Sequence, residues 1–69
     1  MISVEVNGQR QEIPSGLNIR TLLDFLDVDP QRVAVELNRA IIRKTEWEAT
    51  VLAANDQIEV VMFVGGGRG

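Results

Sequence analysis

The residues with the clearest chemical potential in this 69-residue chain form its last segment, FVGGGRG, residues 63–69. A backbone carboxylate at the end of such a segment is ionised at neutral pH and is a poor electrophile. A partner that uses ATP could activate it as an acyl-adenylate, which then accepts a sulfur or amine nucleophile. The five residues 65–69, fully extended, reach at most about 16–18 Å. This glycine arm is therefore expected to thread a narrow channel in another protein; the alternative is a frayed end without a role.

The composition provides few other residues that could catalyse a reaction or bind a metal. The chain has no His and no Cys, so the usual general base and the best nucleophile are missing. Asp24, Asp27 and Asp29 flank a predicted helix and are interpreted as a solvated face, without the spacing of a calcium loop. Glycines 65–67 precede no helix and so do not form a phosphate-binding loop. We expect neither an enzyme nor a metal site.

Charge and hydropathy also narrow the possible partners. The net charge of −3 disfavours nucleic acid, which is bound through clustered positive charge. No run approaches the roughly 18–20 apolar residues that span a bilayer, and no signal peptide is evident. The expected location is the cytoplasm, with no membrane partner.

Alternation of apolar and polar residues predicts five strands. Asn7 and Gly8 tolerate positive φ and predict a tight hairpin between the first two strands. The second strand is polar enough for a sheet edge. The last strand is apolar on both faces in its second half, which is typical of a central strand. The predicted strands are 2–6, 9–13, 33–37, 40–43 and 57–64.

One amphipathic helix is predicted between the second and third strands. Asn18 can cap its start, and Asp29 before Pro30 ends it. Thr45 and Glu48 have the spacing of a capping box, which predicts a single helical turn around Trp47. Together these elements predict an α+β fold, with a mixed sheet of about five strands over one main helix. The domain is expected at 1–64, and a flexible Gly-rich tail at 65–69. The apolar stripe of the helix consists of Ile19, Leu22, Leu23 and Leu26.

Four segments carry a more specific resemblance. VEVNGQRQEIP is similar to a family's first hairpin, and LNIRTLLDFLDVDP to its helix. VAVELNRAIIRKTEW matches a V-A-V…N…W block, and NDQIEVVMFVGGG resembles G-D-x-I-E-I-V-x-x-V-G-G-G. Over nearly its whole length the chain thus resembles the ThiS family, sulfur carriers of thiamine biosynthesis with a ubiquitin-like β-grasp fold. Asn55 replaces the family's usual glycine before Asp56, and Asn tolerates the left-handed conformation.

The resemblance implies a mechanism and a set of partners. An E1-like adenylyltransferase would adenylate the terminal glycine carboxylate with ATP and Mg²⁺. A cysteine-desulfurase relay would supply the sulfur that converts it to a thiocarboxylate. Thiazole synthase would then take that sulfur to build the thiazole of thiamine. The carrier itself would bind no cofactor.

Alignment on FVGGG makes Gly67 the acceptor of the adenylate and the sulfur, with Gly65 and Gly66 inside the partner's channel. Arg68 and Gly69 are then in excess, and we expect them to be trimmed or to be an artefactual extension. Direct use of Gly69 is the alternative. It would put the bulky, permanently charged guanidinium of Arg68 into a channel suited to glycine.

Val61 and Phe63 lead into the tail and can either pack in the core or face outward as apolar anchors for a partner. Trp47 is interpreted as local packing. Three rival functions remain open at this stage: a small subunit of molybdopterin synthase with the same tail chemistry, a ubiquitin-like modifier of lysines, and a plain binding module.

Overall fold

The computed structural model describes residues 1–63. Val64, the predicted last residue of the final strand, and the whole predicted tail lie outside the described residues. The boundary between a domain at 1–64 and a tail at 65–69 therefore stays a prediction.

Five strands form one mixed sheet in the order β2-β1-β5-β3-β4. The β1–β5 pair is parallel, and the other neighbours are antiparallel. The α+β prediction is confirmed, as are the central place of the last strand and the edge position of the second. The elements are β1 Ile2–Val6, β2 Gln9–Ile13, α1 Ile19–Phe25, β3 Val33–Leu37, β4 Ala40–Ile42 and β5 Gln57–Met62, with 3-10 turns at Pro30–Arg32 and Lys44–Glu46.

The core lies between the helix and one face of the sheet. Alternate strand residues point inward, as the period-two pattern predicts, and meet the apolar stripe of α1. Every buried side chain within residues 1–63 is apolar: Val4, Val6, Ile13, Ile19, Leu22, Leu23, Val33, Val35, Trp47, Leu52 and Ile58. Trp47 is only 3% exposed, and its indole N–H donates to the Ile42 carbonyl at 2.9 Å. Its interpretation as local packing is confirmed.

The helix begins as predicted but ends early. The Asn18 side chain accepts from the backbone N–H of Thr21 at 2.8 Å, and the Thr21 hydroxyl accepts from the backbone N–H of Asn18 at 2.9 Å. The helix ends at Phe25, with Leu26 as its C-cap, instead of continuing to the residue before Pro30. Asp27 adopts φ 60°, and the N–H of Val28 reaches back to the Leu23 carbonyl at 2.9 Å. This Schellman ending places an aspartate where glycine is usual, so sequence inspection missed it.

The helical turn before Trp47 is present, but its predicted cap is wrong. A 3-10 turn spans Lys44–Glu46 and begins at Arg43, whose side chain makes no capping hydrogen bond. Because Arg43 starts this turn, β4 ends one residue earlier than predicted, at Ile42. The turn is held instead by backbone bonds and by the Thr50 hydroxyl, which donates to the Glu46 carbonyl at 2.7 Å.

Three turns connect the strands through left-handed backbone conformations. Asn7 and Gly8 have φ 51° and 83°, which confirms the predicted hairpin turn. Asn38 with Arg39, and Asn55 alone, also have positive φ. The tolerance argued for Asn55 in place of glycine is therefore confirmed. Neither α1 nor the 3-10 turns of residues 1–63 have the length and apolar character that a membrane crossing needs.

Candidate functional site

The candidate site is the end of β5, where the chain leaves the sheet. Ala34 pairs with Val61 and Val33 pairs with Met62 across β3 and β5. The backbone N–H of Phe63 donates to the Arg32 carbonyl at 2.8 Å. These bonds hold β5 in place up to residue 63. In the sequence, the glycine segment begins two residues after Phe63, the last residue that these bonds hold.

On its other side β5 soon loses its neighbour. The β1–β5 register consists of Glu5 opposite Gln57 and Val6 opposite Ile58, after which β1 turns away at Asn7. The backbone N–H of Asn7 donates to the Ile58 carbonyl at 2.9 Å. Its side-chain oxygen accepts from the N–H of Val60 at 2.8 Å. Beyond Val60, only β3 pairs with the described part of β5.

The three apolar residues at this end are exposed. Val61 is 53% exposed, and Met62 and Phe63 are each 59% exposed. An apolar run on both faces is typical of a central strand, and that placement of β5 is confirmed. β5 extends past the end of β1, so within residues 1–63 its last residues have a neighbouring strand on one side only. The alternative left open by the sequence, that Val61 and Phe63 face outward, is the one observed.

A shallow cavity of about 380 Å³ adjoins Val61 on the sheet face opposite α1. Its other lining residues are Glu36, Arg39, Gln57 and Glu59. Glu36 and Glu59 lie directly opposite each other in the β3–β5 register. Sequence reasoning missed this cavity because the register, rather than any local pattern, brings Glu36 to Glu59.

A second open cavity, of about 320 Å³, lies beside the Trp47 turn. Lys44 Nζ stands 5.8 Å from the centre of the indole ring, and Arg20 pairs with Asp24 at 2.6 Å. The indole N–H is already bonded to the Ile42 carbonyl. The cavity is therefore lined by charged side chains at its rim, and the buried indole N–H already has a hydrogen-bond acceptor. Its lining residues are Arg20, Pro30, Gln31, Lys44, Thr45, Trp47 and Glu48.

The remaining sequence-predicted site residues lie outside the described part of the chain. Gly65, Gly66, Gly67, Arg68 and Gly69 keep the roles assigned to them as predictions. The structure shows the strand end that precedes that segment in the sequence. This end of β5 is apolar and exposed, and it pairs with β3.

The sequence model of the ThiS family matches residues 4–67. This chain belongs to the ThiS family. The match runs from Val4 within β1 through β5 and the glycine triplet, so family membership rests on nearly the whole fold and not on the tail alone. ThiS family members are sulfur carriers with the β-grasp fold, which is the mixed sheet over one helix found in this chain.

Two relatives illustrate how such a chain occurs in other organisms. A thiazole synthase of Magnetococcus marinus is 39% identical over 67 residues, which cover 97% of this chain and 21% of that enzyme. Protein ycf40 of Pyropia yezoensis is 38% identical over 66 residues, which cover 96% of this chain and 93% of that protein. The chain thus corresponds to about a fifth of the first relative and nearly all of the second.

A solved structure agrees with the fold. The crystal structure of the thiamine biosynthesis protein ThiS from Geobacter metallireducens superposes with a TM-score of 0.84 at 32% identity. The superposition covers 96% of this chain and 100% of that protein. The β-grasp fold implied by the sequence resemblance is confirmed.

Proposed function

We propose that this chain carries sulfur for thiazole formation in thiamine biosynthesis, as a thiocarboxylate on the backbone carboxyl of Gly67. The observation that carries the proposal is the match of the ThiS family through residue 67, combined with an exposed strand end, held up to Phe63, that precedes the glycine segment in the sequence. The carrier supplies the acyl carbon, and its partners supply the catalysis.

The proposed chemistry begins with activation of an inert group. An E1-like adenylyltransferase, using ATP and Mg²⁺, joins the Gly67 carboxylate to AMP and releases pyrophosphate. The outer sulfur of a persulfide on the cysteine-desulfurase relay then attacks the acyl carbon, and AMP leaves with one carboxylate oxygen. A thiol of the partner enzymes then reduces the resulting acyl disulfide, which frees the thiocarboxylate and leaves a disulfide on the partner. The product is an acyl sulfur group that thiazole synthase can consume. Because the chain lacks His and Cys, no side chain of those types is available to catalyse these steps.

Gly67 is proposed as the acceptor because the family match ends there and because glycine leaves the backbone accessible in a narrow channel. Arg68 and Gly69 would have to be removed first. The guanidinium of Arg68 is planar, bulky and charged at all physiological pH values, so it is unsuited to a channel that admits three successive glycines.

The exposed strand end fits a docking role. Val61 and Phe63 stand immediately before the tail, and each is more than half exposed. Aromatic and aliphatic anchors of this kind supply much of the affinity of protein interfaces. We propose that they seat the carrier on its partner enzymes, so that Gly65 and Gly66 enter the active-site channel. Thiazole synthase is the best supported partner, because relatives of that name contain a segment similar to this chain.

Deletion of residues 65–69 tests the proposal. A strain that lacks its own thiazole sulfur carrier should grow without thiamine when it expresses the full chain, and should require thiamine when it expresses the deletion variant. Circular dichroism of the purified variant checks that the sheet and helix persist. Growth of the deletion strain without thiamine would contradict the proposed function, as would a failure of the chain ending at Gly67 to support growth alongside its own partner enzymes.

A further inference from the structure

The sheet face opposite α1 carries a compact group of exposed and half-buried residues that extends to the end of β5. Val33, Val35 and Ile58 point into the core under the helix. The alternate residues of β3 and β5 therefore point to the other face. We call this group the β3–β5 face; it consists of Ala34, Glu36, Ile41, Glu59 and Val61.

Two like charges stand directly opposite each other at the centre of the β3–β5 face. Glu36 of β3 is the register partner of Glu59 of β5. Carboxylates in this position repel each other and lower the stability of the sheet. Arg39 lines the same cavity, but within residues 1–63 neither glutamate has an ion-pair partner closer than 4 Å. A sequence selected for folding alone would gain by replacing either glutamate.

Apolar side chains flank the charged pair. Ile41 is the register partner of Glu36 on the β4 side and is 72% exposed. Val61 is the register partner of Ala34 in the next row toward the tail. The cavity of about 380 Å³ lies among Glu36, Glu59 and Val61. The face therefore combines a negative centre with an apolar margin, and a cationic side chain with apolar neighbours is its chemical complement.

We infer that the β3–β5 face docks thiazole synthase by receiving an arginine or lysine side chain of that enzyme between Glu36 and Glu59. The inference rests on the proposed sulfur-carrier function and adds to it the residues that select the partner. A bound cation relieves the repulsion within the pair, so the complex recovers the stability that the free carrier gives up. Ile41 and Val61 exclude water around the ion pairs, which strengthens them.

The face lies close to the point where the described part of the chain ends. Val61 belongs to the β3–β5 face and lies three residues before the first residue outside the described part of the chain. An enzyme seated on this face is thus positioned to receive the glycine segment. Thiazole synthase is chosen over the adenylating enzyme because two thiazole synthases contain a segment similar to this chain within their own sequence.

A pair of charge-matched double variants tests the inference. Glu36→Gln with Glu59→Gln removes the negative centre. Glu12→Gln with Glu48→Gln makes the same change in net charge at exposed positions outside the face. The dissociation constant for the thiazole synthase of the same organism is measured by titration calorimetry at low and high salt. We expect the first variant to bind about tenfold or more weakly and with reduced salt dependence, and the control to bind within about twofold of the wild type.

Thermal unfolding of the same proteins separates docking from folding. We expect the Glu36→Gln, Glu59→Gln variant to melt at the same temperature as the wild type or higher, because a repulsive pair has been removed. Unchanged affinity of this variant for thiazole synthase would overturn the inference. Equal weakening by the control variant would also overturn it, since net charge and not the face would then govern binding.

Intact-mass analysis of the terminus keeps the inference distinct from the proposed function. If the wild type acquires sulfur but does not bind thiazole synthase, the docking inference fails and the carrier function stands. If the terminus never acquires sulfur, the proposed function fails whatever the affinity. If the double variant loses sulfur loading but keeps its affinity for thiazole synthase, the face serves the adenylating enzyme and the inference is wrong.

Discussion

The side-chain oxygen of Asn7 accepts a hydrogen bond from the backbone N–H of Val60 at 2.8 Å, across 53 residues of sequence. The contact occurs where β1 turns away and β5 would otherwise present an unpaired N–H group. Asn38 does the same at the start of β5, where its side-chain oxygen accepts from the N–H of Gln57 at 2.9 Å. Both asparagines have φ near 50°, so each serves its turn and the central strand together.

Replacement of Asn7 should separate the stability that its side-chain hydrogen bond to Val60 contributes from the stability that its left-handed backbone conformation contributes. Asn7→Gly keeps the left-handed conformation but removes the acceptor, and should lower the free energy of unfolding by about 1 kcal/mol. Asn7→Ala also strains the turn and should lower it by about 2 kcal/mol in total. Asn7→Asp retains both features and is the control. Urea titrations followed by the emission of Trp47, the only tryptophan, measure all three. A glycine variant as stable as the wild type would show that the bond to Val60 contributes nothing.

Phe63→Ala should weaken partner binding far more than folding. The side chain is 59% exposed, so its removal should change the free energy of unfolding by less than about 1 kcal/mol. Affinity for thiazole synthase should fall about tenfold or more. Phe25→Ala is the matched control, because Phe25 is 48% exposed on the helix, on the other side of the sheet. If both variants bound equally well, Phe63 would not be an anchor.

Asp27→Gly should stabilise the protein. Asp27 ends the helix in a left-handed conformation at φ 60°, where glycine carries no steric penalty. The expected gain is about 0.5–1 kcal/mol in the free energy of unfolding. Asp24→Gly, inside the helix, should instead cost about 1 kcal/mol, because glycine is a poor helix former. A loss of stability in Asp27→Gly would refute the proposed role of the left-handed residue.

Trp47→Phe should destabilise the fold by about 2–3 kcal/mol. The substitution leaves the Ile42 carbonyl without its indole donor and opens space in the core. Lys44→Ala is the comparison: it removes the exposed side chain whose ammonium group stands 5.8 Å from the ring, and should cost less than about 1 kcal/mol. Circular dichroism follows unfolding in both, since Trp47→Phe removes the tryptophan signal. Equal stability of Trp47→Phe and wild type would contradict the packing assigned to Trp47.

The local part of the fold was predictable from the sequence because local patterns determine it. Alternation places β1, β2 and β3, and Asn7-Gly8 fixes the first turn through its φ preferences. The early end of α1 was not predictable, because Asp27 occupies a position at which glycine is the usual signal. The cap predicted at Thr45 was wrong for another reason: backbone hydrogen bonds hold that turn without a side-chain cap.

The candidate site also has one part that the sequence predicts and one part that depends on the three-dimensional structure. The glycine segment was recognisable from composition, whereas the exposure of Val61 and Phe63 depends on where β1 stops relative to β5. The opposition of Glu36 and Glu59 depends on the β3–β5 register, which joins residues 23 positions apart. Neither relationship leaves a periodic trace in the sequence, and both required the three-dimensional structure.

The intact mass of a chain that ends at Gly67, after incubation with the adenylating enzyme, ATP, Mg²⁺, the sulfur-donating relay and a thiol reductant, tests the central claim most directly. The account predicts a species that ends at Gly67 with one carboxylate oxygen replaced by sulfur, and fragmentation should place the change on that residue. An unchanged mass in the presence of active partner enzymes would contradict the claim. Sulfur found on the full-length chain in a parallel incubation, with Arg68 still present, would contradict the assignment to Gly67.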